Sequence, residues 1–221
     1  MKKILCLLTL GALFSVSVYA ADEAPQADVF LGYSFLRANS ARDIPAFTAN
    51  GGAGTFGYNF NNNLGLEAEF GGYHNGNIHN VHLDTTMATF LFGPRFSWGR
   101  SKTFDPYVHF LFGGAHVSTS IAGNSVLIPV HPIAGGPTIP APGSDGRYAA
   151  SQANFAMAIG GGIDIKLSKG VYLRAMQIDY FLTRFQDLGL PTALFGEASK
   201  NRNQNNLRFA TGIGFNFGGA H

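Results

Sequence analysis

The stretch Leu207-Arg208-Phe209-Ala210-Thr211-Gly212-Ile213-Gly214-Phe215-Asn216-Phe217 decides the fold. Leu207, Phe209, Thr211, Ile213, Phe215 and Phe217 occupy every second position, and Arg208, Ala210, Gly212, Gly214 and Asn216 fill the gaps. A period of two puts these sets on opposite faces of a β-strand. The segment also has the roughly 9–11 residues that a tilted strand needs to cross a bilayer.

Six other segments repeat the pattern. Val29, Leu31, Tyr33 and Phe35 alternate with Asp28, Phe30, Gly32 and Ser34; Phe56, Tyr58 and Phe60 alternate with Thr55, Gly57 and Asn59. Leu64, Leu66, Ala68 and Phe70 oppose Gly65, Glu67, Glu69 and Gly71. Phe90, Phe92, Pro94, Phe96 and Trp98 oppose Thr89, Leu91, Gly93, Arg95 and Ser97. Val108, Phe110 and Phe112 face away from His109, Leu111 and Gly113. Across 154–167, Phe155, Met157, Ile159, Ile163, Ile165 and Leu167 oppose Asn154, Gly160, Gly162, Asp164 and Lys166. The segment 171–183 breaks the rule, because Arg174, Gln177 and Asp179 cannot share a face in a regular strand. A β-bulge near Ala175-Met176 restores them to one side.

The connections alternate in length. Asn61-Asn62-Asn63, Gly99 to Asp105 and Ser168-Lys169-Gly170 are short; Ala38 to about Asn50, Asn75 to Asp84, Ser118 to about Ser151 and Arg184 to Asn206 are long. Short turns at one end and long loops at the other are the layout of outer-membrane barrels, with the short turns periplasmic. The expected fold is therefore all-β, an eight-stranded antiparallel up-and-down transmembrane β-barrel. The longest connection carries Pro129, Pro132, Pro137, Pro140 and Pro142, which favours extended irregular chain.

The ends and the composition agree with this reading. Lys2 and Lys3 precede the apolar run Ile4 to Val18, and Val18-Tyr19-Ala20 is an acceptable cleavage site, so residues 1–20 read as a secretory signal peptide. Cys6 lies within it, too early and without the small residues before it that mark a lipoprotein. The barrel is expected over 21–217 and a short tail over 218–221. Without Lys2 and Lys3, 13 basic residues face 13 acidic ones; zero formal charge argues against a nucleic-acid partner.

In a lipid-embedded barrel the large apolar faces point outward and the small or polar faces inward. Phe60, Trp98 and Tyr73 are then expected at the interfaces as aromatic girdles. The inward faces carry Glu67, Glu69, Asp164 and Asp179 against Arg95, Lys166, Arg174 and Arg208. An eight-stranded barrel is just wide enough to be filled by side chains, so the matched charges suggest a salt-bridged interior network. A charge-lined narrow pore is the alternative. A soluble lipocalin-like carrier would need its apolar face inward, against the charges on the small-residue faces.

DVFLGYSFLR, FLFGPRFSW, PYVHFLFGG, IGGGIDIKLSKGVYLRAMQIDYFLTRF and LRFATGIGFNF resemble the outer-membrane β-barrel domain family of the OmpA/OmpX type, over essentially the whole chain after the leader. The resemblance implies an eight-stranded antiparallel barrel, insertion by the outer-membrane assembly machinery, contact with outer-membrane lipids and lipopolysaccharide, and loops that mediate surface contacts. Two departures stand out: no peptidoglycan-binding domain follows the barrel, and the chain continues as Gly218-Gly219-Ala220-His221 past Phe217. Gly212, Phe215 and Phe217 keep the spacing of the family's assembly signal, with Ala210 in place of its polar residue.

Three features could carry chemistry. His74, His79 and His82, with Asp84 nearby, suit zinc or copper, but their spacing matches no defined site. His116-Val117-Ser118 resembles the His-x-Ser pair of outer-membrane lipid A deacylases, in which His activates Ser, without the surrounding residues of that family. Gly160-Gly161-Gly162 lies inside a strand pattern with no helix after it, so it reads as barrel wall rather than as a phosphate loop. The sequence points to a monomeric, non-enzymatic protein of the cell outer membrane, without cofactor, metal or catalytic residues. Its barrel would be an anchor and its long loops a surface for a ligand.

Overall fold

A computed structural model describes residues 26–39, 46–76, 83–100, 102–122, 147–184 and 203–218. The proposed leader and its cleavage site, the tail beyond Gly218, and His79 and His82 lie outside these residues. Eight strands follow in order: β1 (Ala27–Ala38), β2 (Phe47–Asn59), β3 (Leu64–Asn75), β4 (Leu83–Ser97), β5 (Phe104–Ala122), β6 (Arg147–Lys166), β7 (Val171–Arg184) and β8 (Asn203–Phe217). Each pairs antiparallel with the next, and β1 pairs with β8 from Ala27–Phe217 to Ala38–Asn206, closing the barrel.

Several strands run further toward the long connections than side-chain alternation suggests. β2 begins at Phe47, β5 continues to Ala122 and β6 begins at Arg147, so the third long connection spans 123–146 rather than 118–151. Hydropathy alternates only where one face meets lipid. Above the hydrocarbon the outward positions become Thr48, Asn50, Ser118 and Ser151, while backbone pairing continues.

The register sets the tilt. Val29 pairs with Phe56, then Ala68, Phe92, Phe112, Met157, Leu182 and Asn205 follow rung by rung. Asn205 meets β1 beside Asn39, so one circuit advances ten residues, from 29 to 39. Such a stagger accompanies strands tilted by roughly 40°. It also levels the outer surface. At the long-connection end the outward face turns polar at Arg37, Asn50, His74, Thr86, His116, Arg184 and Asn205, all exposed. Asn50, His74 and Thr86 share a rung, and the later members sit progressively lower along their strands, which offsets the climb. At the other end Trp98 is 59% and Phe217 55% exposed, aromatic residues at the level of the short turns. Tyr73, expected in a girdle, is instead 2% exposed. It belongs to the inward parity of Glu67 and Glu69, and its hydroxyl lies 3.0 Å from Ser34 Oγ.

The bulge in β7 is present. The β6–β7 register shifts between Ile163 and Asp164, and Ala175 and Met176 together stand opposite Thr211 of β8. Both face outward, and Arg174 and Gln177 on either side are buried. A bulge frees backbone carbonyls from the ladder, at a cost of several kcal/mol each in hydrocarbon. Thr211 resolves this: its hydroxyl donates to Arg174 O at 3.0 Å and reaches Ala175 O at 3.4 Å. Replacing Thr211 by Val keeps the shape and removes the donor. Urea unfolding in lipid vesicles is expected to show a loss of about 1–3 kcal/mol for Thr211→Val and a smaller loss for Thr211→Ser.

Candidate functional site

The inward face of each strand has its own order from the short-turn end upward. β5 presents Asp105, Tyr107, His109, Leu111, Ala115, Val117 and Thr119; β7 presents Tyr172, Arg174, Gln177, Asp179, Phe181 and Thr183. On these two strands the charged residues lie toward the short-turn end, the apolar ones above them, and Thr119 and Thr183 at the top. Closing the barrel stacks these into three tiers.

The charged tier is one connected network. Arg95 Nη2 donates to Asp164 at 2.6 Å, and Arg95 Nη1 to Asp28 at 3.4 Å. Arg174 grips the same Asp164 through Nε at 2.9 Å and Nη2 at 3.2 Å. Asp28 also accepts from Tyr172 at 3.1 Å and from Asn59 at 3.1 Å. Further up, Arg208 donates through Nε at 2.8 Å and Nη2 at 2.6 Å to Asp179, and through both Nη atoms to Glu69.

His109 links the two halves. Its Nδ1 lies 3.2 Å from Glu67 and its Nε2 2.8 Å from Asp179. Both ring nitrogens face carboxylate oxygens, so both contacts are hydrogen bonds only when each nitrogen carries a proton. Gln177 completes the link, donating to Asp179 at 2.8 Å and accepting from Tyr107 and from Arg174, each at 2.9 Å. Aromatic faces cover the cations: the Arg95 guanidinium sits 4.1 Å from the Tyr107 centroid and that of Arg174 4.3 Å from Phe30.

Wall glycines make the room. A Cβ on Gly214 would overlap the Tyr172 ring, one on Gly160 the Asp179 carboxylate, and one on Gly57 that of Asp28. Gly160 and Gly162 of the triple-glycine run are thus wall positions that admit Asp179 and Tyr107.

Of the eight residues expected in the interior network, seven (Glu67, Glu69, Arg95, Asp164, Arg174, Asp179 and Arg208) are buried together. Lys166 is the exception and is exposed. It keeps the inward parity but lies at the last residue of β6, where the barrel opens to solvent. Sequence reasoning left out Asp28, Asp105, His109 and Gln177. Asp28 shares the inward parity of Phe30, Asp105 falls in a turn by the alternation, and a matched count of Asp, Glu, Lys and Arg does not include His109 or Gln177.

Above the network, Leu36, Leu91, Leu111 and Phe181 are at most 1% exposed and pack with Ala115, Ala156 and Ala158. Side-chain parity alone does not reveal this apolar tier. Above it come Thr85, Thr119, Thr183, Gln204 and Asn206, all buried. The lumen is filled rather than hollow at the Leu91–Leu111–Phe181 level.

The remaining candidates lie outside the barrel. His74 is exposed, 3.5 Å from Asp84 and 3.5 Å from Thr86. No group of three potential metal ligands occurs among the described residues. His116 and Ser118 point outward from β5 at the polar collar, next to Ala88 and Thr86 of β4. Asp84 stands opposite Ser120 and is paired with His74.

A closed eight-stranded antiparallel barrel, apolar outside and ionic inside, defines a membrane-spanning β-barrel protein. The outer membrane protein beta-barrel domain model matches residues 6–219, and the chain belongs to that family. No curated protein matches the chain. Among solved structures it is similar to Neisserial surface protein A, with TM-score 0.56 and 11% identity, covering 89% of this chain and 100% of that one. It is also similar to Ail, the attachment invasion locus protein of Yersinia pestis, with TM-score 0.51, 14% identity, and 89% and 100% coverage. A second Ail structure, in complex with the heparin analogue sucrose octasulfate, gives TM-score 0.52 and 15% identity, with the same coverage. At these identities the likeness is one of fold.

Breaking one partner of a buried ion pair leaves an uncompensated charge. Arg208→Met, which strands Glu69 and takes from Asp179 one of its partners, is expected to cost about 3–5 kcal/mol in reversible unfolding. Adding Glu69→Gln to that variant should recover part of the loss.

Proposed function

We propose that this protein is a non-enzymatic component of the cell outer membrane whose barrel is a sealed anchor and whose long connections form a contact surface outside the cell. The filled lumen carries this reading. An ion path would have to pass the tightly packed tier of Leu91, Leu111 and Phe181, then a network in which every arginine is held by carboxylates. Neither tier supplies the continuous hydrated route that a pore requires.

The reading extends to processing and partners. Residues 1–20 are removed on export and the outer-membrane assembly machinery inserts the chain, which stays monomeric. Arg37 on β1 and Arg184 on β7 flank β8 at the extracellular collar, above the apolar outward residues Phe35, Leu182 and Leu207. That pairing of cation and apolar wall suits the phosphates and acyl chains of lipopolysaccharide. The Ail structure with sucrose octasulfate supports the idea that a barrel of this fold can bind a sulfated ligand. The chain's own surface ligand would be met by the connections over 40–45, 77–82, 123–146 and 185–202.

Planar-bilayer recording separates anchor from channel. The purified chain is expected to give no conductance steps above background, and Leu111→Gly with Phe181→Gly should raise water and ion leakage through the same barrel. Regular steps from the unaltered chain would make it a channel instead.

A further inference from the structure

At the short-turn end, below the charge network, lies a small pocket that opens to solvent. Arg95, Arg100, Lys102 and Lys166 line it together with Asp28, Asp105 and Asp164. We propose that this cavity is a binding site for a carboxylate- or phosphate-bearing anion, held by Arg100 with Lys102 and Lys166 at the mouth.

The acids lining the cavity are already engaged from within. Asp164 is held by Arg95 and Arg174, Asp28 by Arg95, Tyr172 and Asn59, and Asp105 by the Gly99 N–H at 3.0 Å. The donors are not equally used. Arg95 is 3% exposed, yet its Nε has no hydrogen-bond partner. Arg100 is 8% exposed and makes no ion pair among the described residues. Its guanidinium is held in place by neutral oxygens only, Asn61 O at 2.6 Å and Ser97 Oγ at 3.1 Å.

Asp105, Asp28 and Asp164 act on this guanidinium only through space, and a buried guanidinium without a direct ion pair is costly. Arg100 lies in the turn between β4 and β5, outside the membrane-spanning strands. Burial and the positive charge of Arg95 outweigh the carboxylates of Asp105, Asp28 and Asp164 and push its pKa down to about 10. An anion in the pocket would supply a negative charge in direct contact with Arg100 and a further acceptor. Lys102 and Lys166, both exposed, stand where such a group would enter. A guanidinium fork suits the planar oxygens of a carboxylate or the face of a phosphate.

The anion has two possible sources. One is a solute from the short-turn side. The other is the chain itself: Asp22 and Glu23 precede Gln26, whose carbonyl accepts from Asn59 N at 2.8 Å at the edge of the cavity. The test follows the Arg100 Nε–H and the Gly99 and Lys102 amides by NMR in lipid nanodiscs. Inorganic phosphate, and separately acetate, is added at constant ionic strength. A solute site gives saturable shifts in the unaltered chain, with affinity about tenfold weaker in Arg100→Gln, as expected for losing a charge-assisted hydrogen bond. Lys102→Gln with Lys166→Gln, two exposed positions whose exchange leaves the core untouched, should weaken it as well. Occupation by the chain's own carboxylates gives no response in the unaltered chain and a saturable one in Asp22→Asn/Glu23→Gln. Absence of saturable shifts in both chains overturns the proposal, as do shifts of equal affinity in Arg100→Gln and the double lysine variant.

Discussion

Hydrocarbon offers no hydrogen-bond partner, and the rest of this structure depends on that constraint. A strand that enters lipid must satisfy its N–H and C=O groups on both edges, so the sheet has to close. Here closure is the β1–β8 seam, which runs the full length of β1. The stagger of ten residues follows from the same ring of pairings, and with it the tilt and the level collar of polar residues. The bulge in β7 is where the register shifts among the described strands, and the Thr211 hydroxyl takes over the duty of a ladder donor there.

Closure creates a second problem, inside. Eight tilted strands enclose a space that is too narrow for bulk water and lined by the faces that lipid rejects. Charges placed there must be matched at close range. The protein does this with shared partners rather than isolated pairs: Asp164 serves two arginines, Asp179 serves Arg208 and His109, and Gln177 joins the halves. Wall glycines are the steric counterpart, since a side chain at Gly160 or Gly214 would displace the groups that pair. The high glycine content, 29 of 221 residues, therefore belongs to the ionic interior as much as to the wall.

The sequence made the outward faces legible because lipid selects every second residue. Leu207 to Phe217 reads directly as a spanning strand, and the Arg174–Gln177–Asp179 mismatch alone locates the bulge. What lay outside the bilayer was less legible: Phe47 to Gly54 pairs as a strand but has no apolar alternation to reveal it. Side-chain parity also does not give depth. Lys166 shares the inward parity of Asp164 yet lies at the open end, and Tyr73 points inward although it lies toward a long connection. The apolar tier was hidden for a related reason. Leu36, Leu91, Leu111 and Phe181 come from four strands, and only the stagger brings them to one level.

The seam is where the account is most directly tested. Amide NMR of the chain in lipid bilayers can record both cross-strand contacts and hydrogen exchange along β1 and β8. The account predicts amide contacts linking Val29 with Phe215 and Leu31 with Ile213, with exchange as slow as in the central strands β4 and β5. Missing seam contacts, together with fast exchange along β1 and β8 while β4 and β5 stay protected, would mean an open sheet and would contradict it.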